Sequence, residues 1–255
     1  MTMKAFFSPD YQSLLEQQNL SEFDDFWRLP KNWVEPPNER RGGWSGVTTT
    51  DIRKKCGETV TLYVKRQHAH TFRSIRYPLS KSTAWREYQN NERMRKKGFS
   101  VPIPVFYQEK KCSGMRAIMA TIGINNPISL SAWLTSRTEP RDQDSTSKVL
   151  QNIATDIRKI HDSGFEYRAL HGKHILLENY QTATIPKHYF IDLETLRPYI
   201  RHLTPRVRDI CQFFRHTPLS GSQQEFFLAH YLIDTPSWAK RFRDKLLKRM
   251  IKKTT

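Results

Sequence analysis

Tyr167–Leu177 reads YRALHGKHILL. Its order is a turn with one basic residue, a Leu anchor at Leu170, a polar step through Gly172, and the apolar run Ile175–Leu177. That is the pattern of a structured loop entering a strand. Two imidazoles, His171 and His174, stand three residues apart in it, and a small apolar residue, Ala169, separates Arg168 from the Leu anchor.

Upstream of this loop, Leu150, Ile153, Ile157 and Ile160 recur at three- and four-residue steps, which predicts an amphipathic helix over 146–163. Downstream, HYFIDLETL predicts a short aromatic and apolar strand that turns at Asp192, followed by helical C-terminal segments. Toward the N-terminus, SLSAWLTS predicts a short helix and RTEPRDQDSTS a polar loop. VPIPVFYQEKK and GMRAIMATIGI predict a strand pair. SKSTAWREYQNNERMRKKG predicts a helix capped by Ser80 or Ser82 and ended by Gly98. Before it, the Gly-rich turn RGGWSGV leads into two antiparallel strands, with Lys65 near the end of the second or of a third short one. Residues 1–40 are mixed, with prolines in LPKNWVEPPNERR that break helix.

The expectation is an α+β fold with a strand-rich first part holding one helix and a mainly helical second part. The two would join near residues 122–127 with a ligand cleft between them. The boundaries expected are an N-terminal extension at 1–40, a first lobe at 41–123, a second at 124–235 and a basic amphipathic helix at 236–255.

The chain has 255 residues, enough for one large domain or two small lobes. Aromatics at 12% argue against disorder despite a mean hydropathy of −0.70. Neither low-complexity composition nor a fixed-period repeat stands out. Lys and Arg outnumber Asp and Glu by 42 to 25, a net charge of +17. Such an excess points to a polyanionic neighbour: nucleic acid, an anionic membrane surface or a phosphorylated substrate. Cys56, Cys112 and Cys211 are scattered and odd in number, as in a reducing compartment. The N-terminal stretch lacks the apolar core of a secretion signal. A cytoplasmic protein is therefore expected, with a peripheral position on the inner face of the inner membrane as its extension.

Taken in order, four features resemble a protein-kinase-like fold, and more specifically the bacterial lipopolysaccharide kinase family, which contains heptose and Kdo kinases and an InaA-type branch. The resemblance runs from about residue 40 to 235. In RRGGWSGV, Gly43 and Gly46 match the last two glycines of a loop whose backbone N–H groups approach nucleotide phosphates, while Arg41 holds the first position. In LYVKRQ, Lys65 matches the strand lysine that holds the α- and β-phosphates. Glu87 matches the helix glutamate that pairs with it. Asp192 matches the magnesium-binding aspartate, within IDL rather than D-F-G. His174 stands where protein kinases carry a metal-binding Asn, as it does in this family. The resemblance implies ATP and Mg2+ as cofactors and a sugar hydroxyl of the lipopolysaccharide inner core, heptose or Kdo, as acceptor.

One departure matters. Where kinases carry the catalytic Asp, this chain has Ala169. Phosphoryl transfer passes through a loose transition state with little proton movement, so positioning and charge neutralisation dominate. Losing a general base costs roughly 3–5 kcal/mol of barrier. His171 is then the nearest replacement base. Two readings follow: a kinase that works without the usual carboxylate, or a catalytically weak or inactive kinase-like binding protein.

In the tail, WAKRFRDKLLKRMIKKTT combines eight basic residues with one acid and an apolar stripe of Trp238, Phe242, Leu246, Leu247, Met250 and Ile251. Either the stripe enters an anionic membrane interface or it packs on the helical lobe. The partners expected are a lipopolysaccharide core or other anionic glycolipid and the anionic inner-membrane surface. Nucleic acid is not expected, because no zinc spacing or RNA-binding motif accompanies the charge.

Overall fold

The computed structural model describes residues 5–40, 42–74, 77–136, 143–199 and 203–251. By backbone contacts the chain divides into two units, Met1–Ile124 and Asn125–Thr255.

The first unit is organised by the alternation of one strand. Its elements in order are β1 (Phe6–Phe7), α1 (Pro9–Gln17), α2 (Phe23–Arg28), β2 (Asn38–Arg40), β3 (Gly43–Arg53) and β4 (Thr59–His68). There follow β5 (Thr71–Ser74), β6 (Tyr77–Ser82), α3 (Thr83–Lys96), β7 (Pro104–Cys112) and β8 (Gly114–Ile122). Six strands form an antiparallel sheet in the order β1-β7-β8-β4-β3-β2, and β5 pairs with β6 as a separate ribbon.

Successive side chains of a strand point to opposite faces. On one face Leu62 and Val64 of β4 join Phe106, Ile118 and Ala120 against Leu15, Phe23 and Phe26 of the N-terminal helices. On the other, Tyr107, Ala117 and Met119 pack against Ala84 and Tyr88 of α3. The segment expected as a separate N-terminal extension is therefore part of this unit's core. Arg66, fully buried, ties it in: its guanidinium donates to the carbonyls of Trp27, Leu29 and Pro30 and to Thr48 Oγ1. Four partners around one desolvated cation are what keep it inside.

Ser82, rather than Ser80, caps α3, its Oγ accepting from the Trp85 amide at 3.0 Å. Gly98, with φ +82, follows the helix as expected. Gln67 of β4 holds the start of α3 through Ala84 N–H and Thr83 Oγ1.

The second unit contains β9 (Ile128–Ser129), α4 (Leu130–Thr135), α5 (Gln143–Asp162), β10 (Phe165–Glu166), a single 3-10 turn at Gly172–His174, β11 (Ile175–Leu177) and β12 (His188–Phe190). A second 3-10 turn at Leu193–Thr195, β13 (Arg197–Pro198), α6 (Leu203–His216), α7 (Gly221–Tyr231) and α8 (Pro236–Ile251) complete it. Within the stretch read as a polar loop, residues 143–147 form the start of α5, and 137–142 lie outside the described residues.

Helix α8 packs rather than presents its stripe. Phe242 is fully buried, its ring 5.4 Å from Tyr231, and Leu246 is 5% exposed. Arg158 and Arg206 lie over the Trp238 ring, and Arg215 of α6 donates to the carbonyls of Arg249 and Met250. Leu247 and Ile251 alone of the stripe are strongly exposed, at 63% and 59%. Among the described residues no helix is long and apolar enough to cross a membrane.

Candidate active site

In the first unit the expected lysine sits in register opposite Val47 of β3 and Met119 of β8, three residues before the end of β4. Being odd-numbered in β4, Lys65 faces α3. Glu87, one turn into that helix, meets it: Nζ lies 2.5 Å from Oε2, with both side chains mostly buried. The pair thus depends on the strand's alternation, the Ser82 cap and the Gln67 clamp. Partial burial makes it far more sensitive to truncation than a surface pair.

Gly43 and Gly46 are placed differently from expectation. Both lie within β3, not in the turn, which falls at Gly42 with φ +75; Arg41 lies outside the described residues. A Cβ at Gly43 would stand 2.5 Å from the Ala69 backbone, and one at Gly46 would stand 2.6 Å from the Trp33 ring. Packing within the unit is thus enough to require a residue without a Cβ at both positions.

In the second unit Asp209 of α6 builds the loop. Its buried carboxylate accepts from the Tyr167 amide at 2.6 Å and the Arg168 amide at 3.0 Å. His161 Nε2 stands 3.1 Å from the same carboxylate, and its Nδ1 is 2.7 Å from Tyr231 Oη. A carboxylate only accepts, so His161 Nε2–H donates to Asp209; in the neutral ring Nδ1 then accepts from the Tyr231 hydroxyl, whose pKa burial raises. This clasp keeps Arg168 in the left-handed region at φ +66, a conformation costly for a residue with a side chain. Asp209, His161 and Tyr231 escape a motif search. Their signal in the sequence is a polar residue on an otherwise apolar helix face, beside Ile210 and Ile160.

Tyr167, 1% exposed, links the loop to the next segment by donating its hydroxyl to the Ile191 carbonyl. Ile191 N–H in turn donates to the His174 carbonyl at 3.0 Å. With Ile175 paired to Phe190, the β11–β12 ladder brings His174 and Asp192 together. His174 Nδ1 is 2.7 Å from the Ala169 carbonyl and must be the donor, since a carbonyl only accepts. With Nδ1 as donor, the neutral form of the ring has its lone pair on Nε2, 3.6 Å from Asp192 Oδ2. Asp192 is itself left-handed at φ +57, and a carboxylate oxygen of Glu194 lies within 4.8 Å of one of its own. Two carboxylates with a nearby imidazole lone pair are a donor set that fits a hard divalent cation, the oxygens better than the nitrogen.

His171 does not suit the role of replacement base. Its Nε2 takes a hydrogen bond from the Gln212 side-chain amide at 2.6 Å, and its ring stacks on His216 with centroids 4.4 Å apart. Burial, followed by the neighbouring His174, His216 and Lys173, pushes its pKa down to about 4. A base that weak gains little from accepting a proton near neutrality. Ala169 is 8% exposed and offers the loop only its carbonyl.

A buried lysine–glutamate pair on a sheet and its helix, together with a clasped loop leading to a strand-end aspartate, define a kinase-like class of fold. Residues 24–231 match the Lipopolysaccharide kinase (Kdo/WaaP) family, and the chain belongs to it. It is 29% identical to Protein InaA of Escherichia coli (strain K12) over 213 residues, 82% of this chain and 95% of that protein. Among solved structures it resembles WaaP in complex with acyl carrier protein, with a TM-score of 0.66 and 16% identity over 98% of each chain. That likeness supports the protein-kinase-like α+β fold.

Proposed function

We propose that this chain is an ATP- and Mg2+-dependent kinase that transfers phosphate to a heptose or Kdo hydroxyl of the lipopolysaccharide inner core. The observation that carries the reading is the Lys65–Glu87 ion pair at 2.5 Å, because an ammonium held by a helix carboxylate is the device that positions nucleotide phosphates. Lys65 holds the α- and β-phosphates, and Glu87 keeps its ammonium in place. Asp192 and Glu194 would supply oxygens to Mg2+, and His174 Nε2 lies 3.6 Å from the Asp192 carboxylate. The metal, when bound, neutralises charge on the transferring phosphoryl group. The Asp209 clasp keeps the loop backbone rigid, so that acceptor positioning replaces much of what a base would contribute. The acceptor is an anionic glycolipid, and the +17 chain works in the cytoplasm at the inner face of the membrane.

A second reading has its own observation. Ala169 is buried and His171 is held neutral by burial and then by its neighbours, which suits a kinase-like binding protein that turns over slowly or not at all. Incubation of the full chain with ATP, Mg2+ and purified core oligosaccharide, followed by mass spectrometry, separates them. Addition of one phosphate to the oligosaccharide is the expected result. Nucleotide binding with no phosphorylated product from any core acceptor would favour the binding protein.

A further inference from the structure

Beside the loop, three arginines converge on one acid. Glu166 of β10 is only 6% exposed and sits in register with Arg197 of β13. Arg197 Nε lies 3.0 Å from Glu166 Oε1, Arg208 Nη2 of α6 donates to Oε2, and Arg168 Nε stands 3.7 Å from Oε1. One carboxylate thus faces three guanidiniums, a formal charge of +2. Neutralising Glu166 needs one arginine. Each further guanidinium brought to the same carboxylate adds repulsion unless another anion joins it.

The geometry leaves room for that anion. Glu166 makes its close contacts with Arg197 and Arg208, whereas Arg168 stands beyond hydrogen-bond length from it. The side chains of Arg168, Arg197 and Arg208 are 37%, 50% and 34% exposed, so the cluster is open to solvent. Arg208 Nε is buried with no hydrogen-bond partner among the described residues. Two of the three arginines are placed by the loop clasp itself: Arg168 is the strained residue that Asp209 grips, and Arg208 precedes Asp209 on α6. Guanidinium forks match the paired oxygens of phosphate and carboxylate, which an ammonium does not.

We propose that Arg168, Arg197 and Arg208 form an oxyanion site that holds a phosphate or carboxylate substituent of the acceptor next to the loop. The site itself stands on the second unit alone, while its assignment to the acceptor rests on the kinase reading. Glu166 tunes it, lowering the local charge so that the anion binds reversibly and the empty site stays folded.

Two arms test this on the full chain. In the first, inorganic phosphate and acetate are titrated by calorimetry at constant ionic strength. Arg197→Gln should weaken binding of the preferred anion about tenfold, the value of one charge-assisted contact. Glu166→Gln should strengthen it several-fold. Opposite signs distinguish a built site from attraction to a generally basic surface, and the two anions distinguish phosphate from carboxylate. Equal affinities in all three proteins, or no binding to the unmodified chain, would overturn the site. The unfolding midpoint in chloride confirms that each variant is folded. In the second arm, Arg197→Gln should raise KM for the anionic core acceptor and leave KM for ATP unchanged. An unchanged acceptor KM would overturn the assignment to the acceptor. If no transfer occurs in any protein, the kinase reading fails while the first arm still decides the site.

Discussion

At His171, burial acts first and the neighbouring His174, His216 and Lys173 act second, all in the direction of a neutral ring. Its folded value of about 4 lies below the 6.5 of an ordinary histidine. As pH falls the unfolded chain therefore takes up this proton before the folded one. The stabilisation is complete above pH 6.5 and is lost on the way down to pH 4, amounting to no more than about 2 kcal/mol once the ring's contact with solvent is allowed for. His171→Gln should flatten the dependence of the urea midpoint on pH across that window; an unchanged slope would show that another group is responsible. Asp209 is a second decisive residue. Asp209→Ala strands two loop amides and His161 in the interior and should cost about 3 kcal/mol or more in chemical denaturation. The sequence announces His171 plainly, because it sits beside Ala169, yet conceals what its ring touches. Gln212 and His216 are more than forty residues away along the chain.

At the scale of elements, periodicity carried most of the reading. The helix over 83–96, the strand pair ending at Ile122 and the amphipathic α5 follow from apolar spacing and caps, which are local properties. Ser82→Ala should lower stability by about 1 kcal/mol through loss of the α3 cap, and should loosen the Lys65–Glu87 pair by fraying the turn before it. For α8, composition permitted two opposite fates, because a basic amphipathic helix looks the same whether lipid or protein covers its stripe. Packing on Tyr231 and beneath Arg158 and Arg206 decides between them for Trp238 and Phe242. Phe242→Ala should therefore cost about 3–5 kcal/mol in a thermal or urea melt, whereas Leu247→Ser should change stability by less than about 0.5 kcal/mol. A Phe242 variant as stable as the parent would mean that α8 does not pack this way in solution.

For the whole molecule, the kinase reading predicts that Asp192→Ala abolishes the magnesium-dependent part of ATP binding while the unfolding transition stays cooperative. Lys65→Ala should weaken nucleotide affinity at least about tenfold, or 1.4 kcal/mol. A thermal-shift titration with ATP, in the presence and absence of Mg2+, reads both, and unchanged ATP affinity in the Asp192 variant would remove its assigned role. The net charge of +17 further predicts that association with anionic vesicles falls steeply as salt is raised. By itself the sequence determined the main strands and helices beyond residue 40, the family and the candidates Lys65, Glu87, His174 and Asp192, because spacing, capping and motif order are written along the chain. It did not show that residues 1–40 join the first unit's core or that Gly43 and Gly46 lie inside β3 under close packing, because those placements are set by what packs against them. Only the tertiary structure decided that Arg66 holds the N-terminal helices, that Asp209 clasps the loop, and that three arginines surround Glu166. Apart from Arg168, which is a near neighbour of Glu166, these join residues roughly thirty to fifty positions apart, and the burial that makes a charged group choose such partners exists only once the chain has folded.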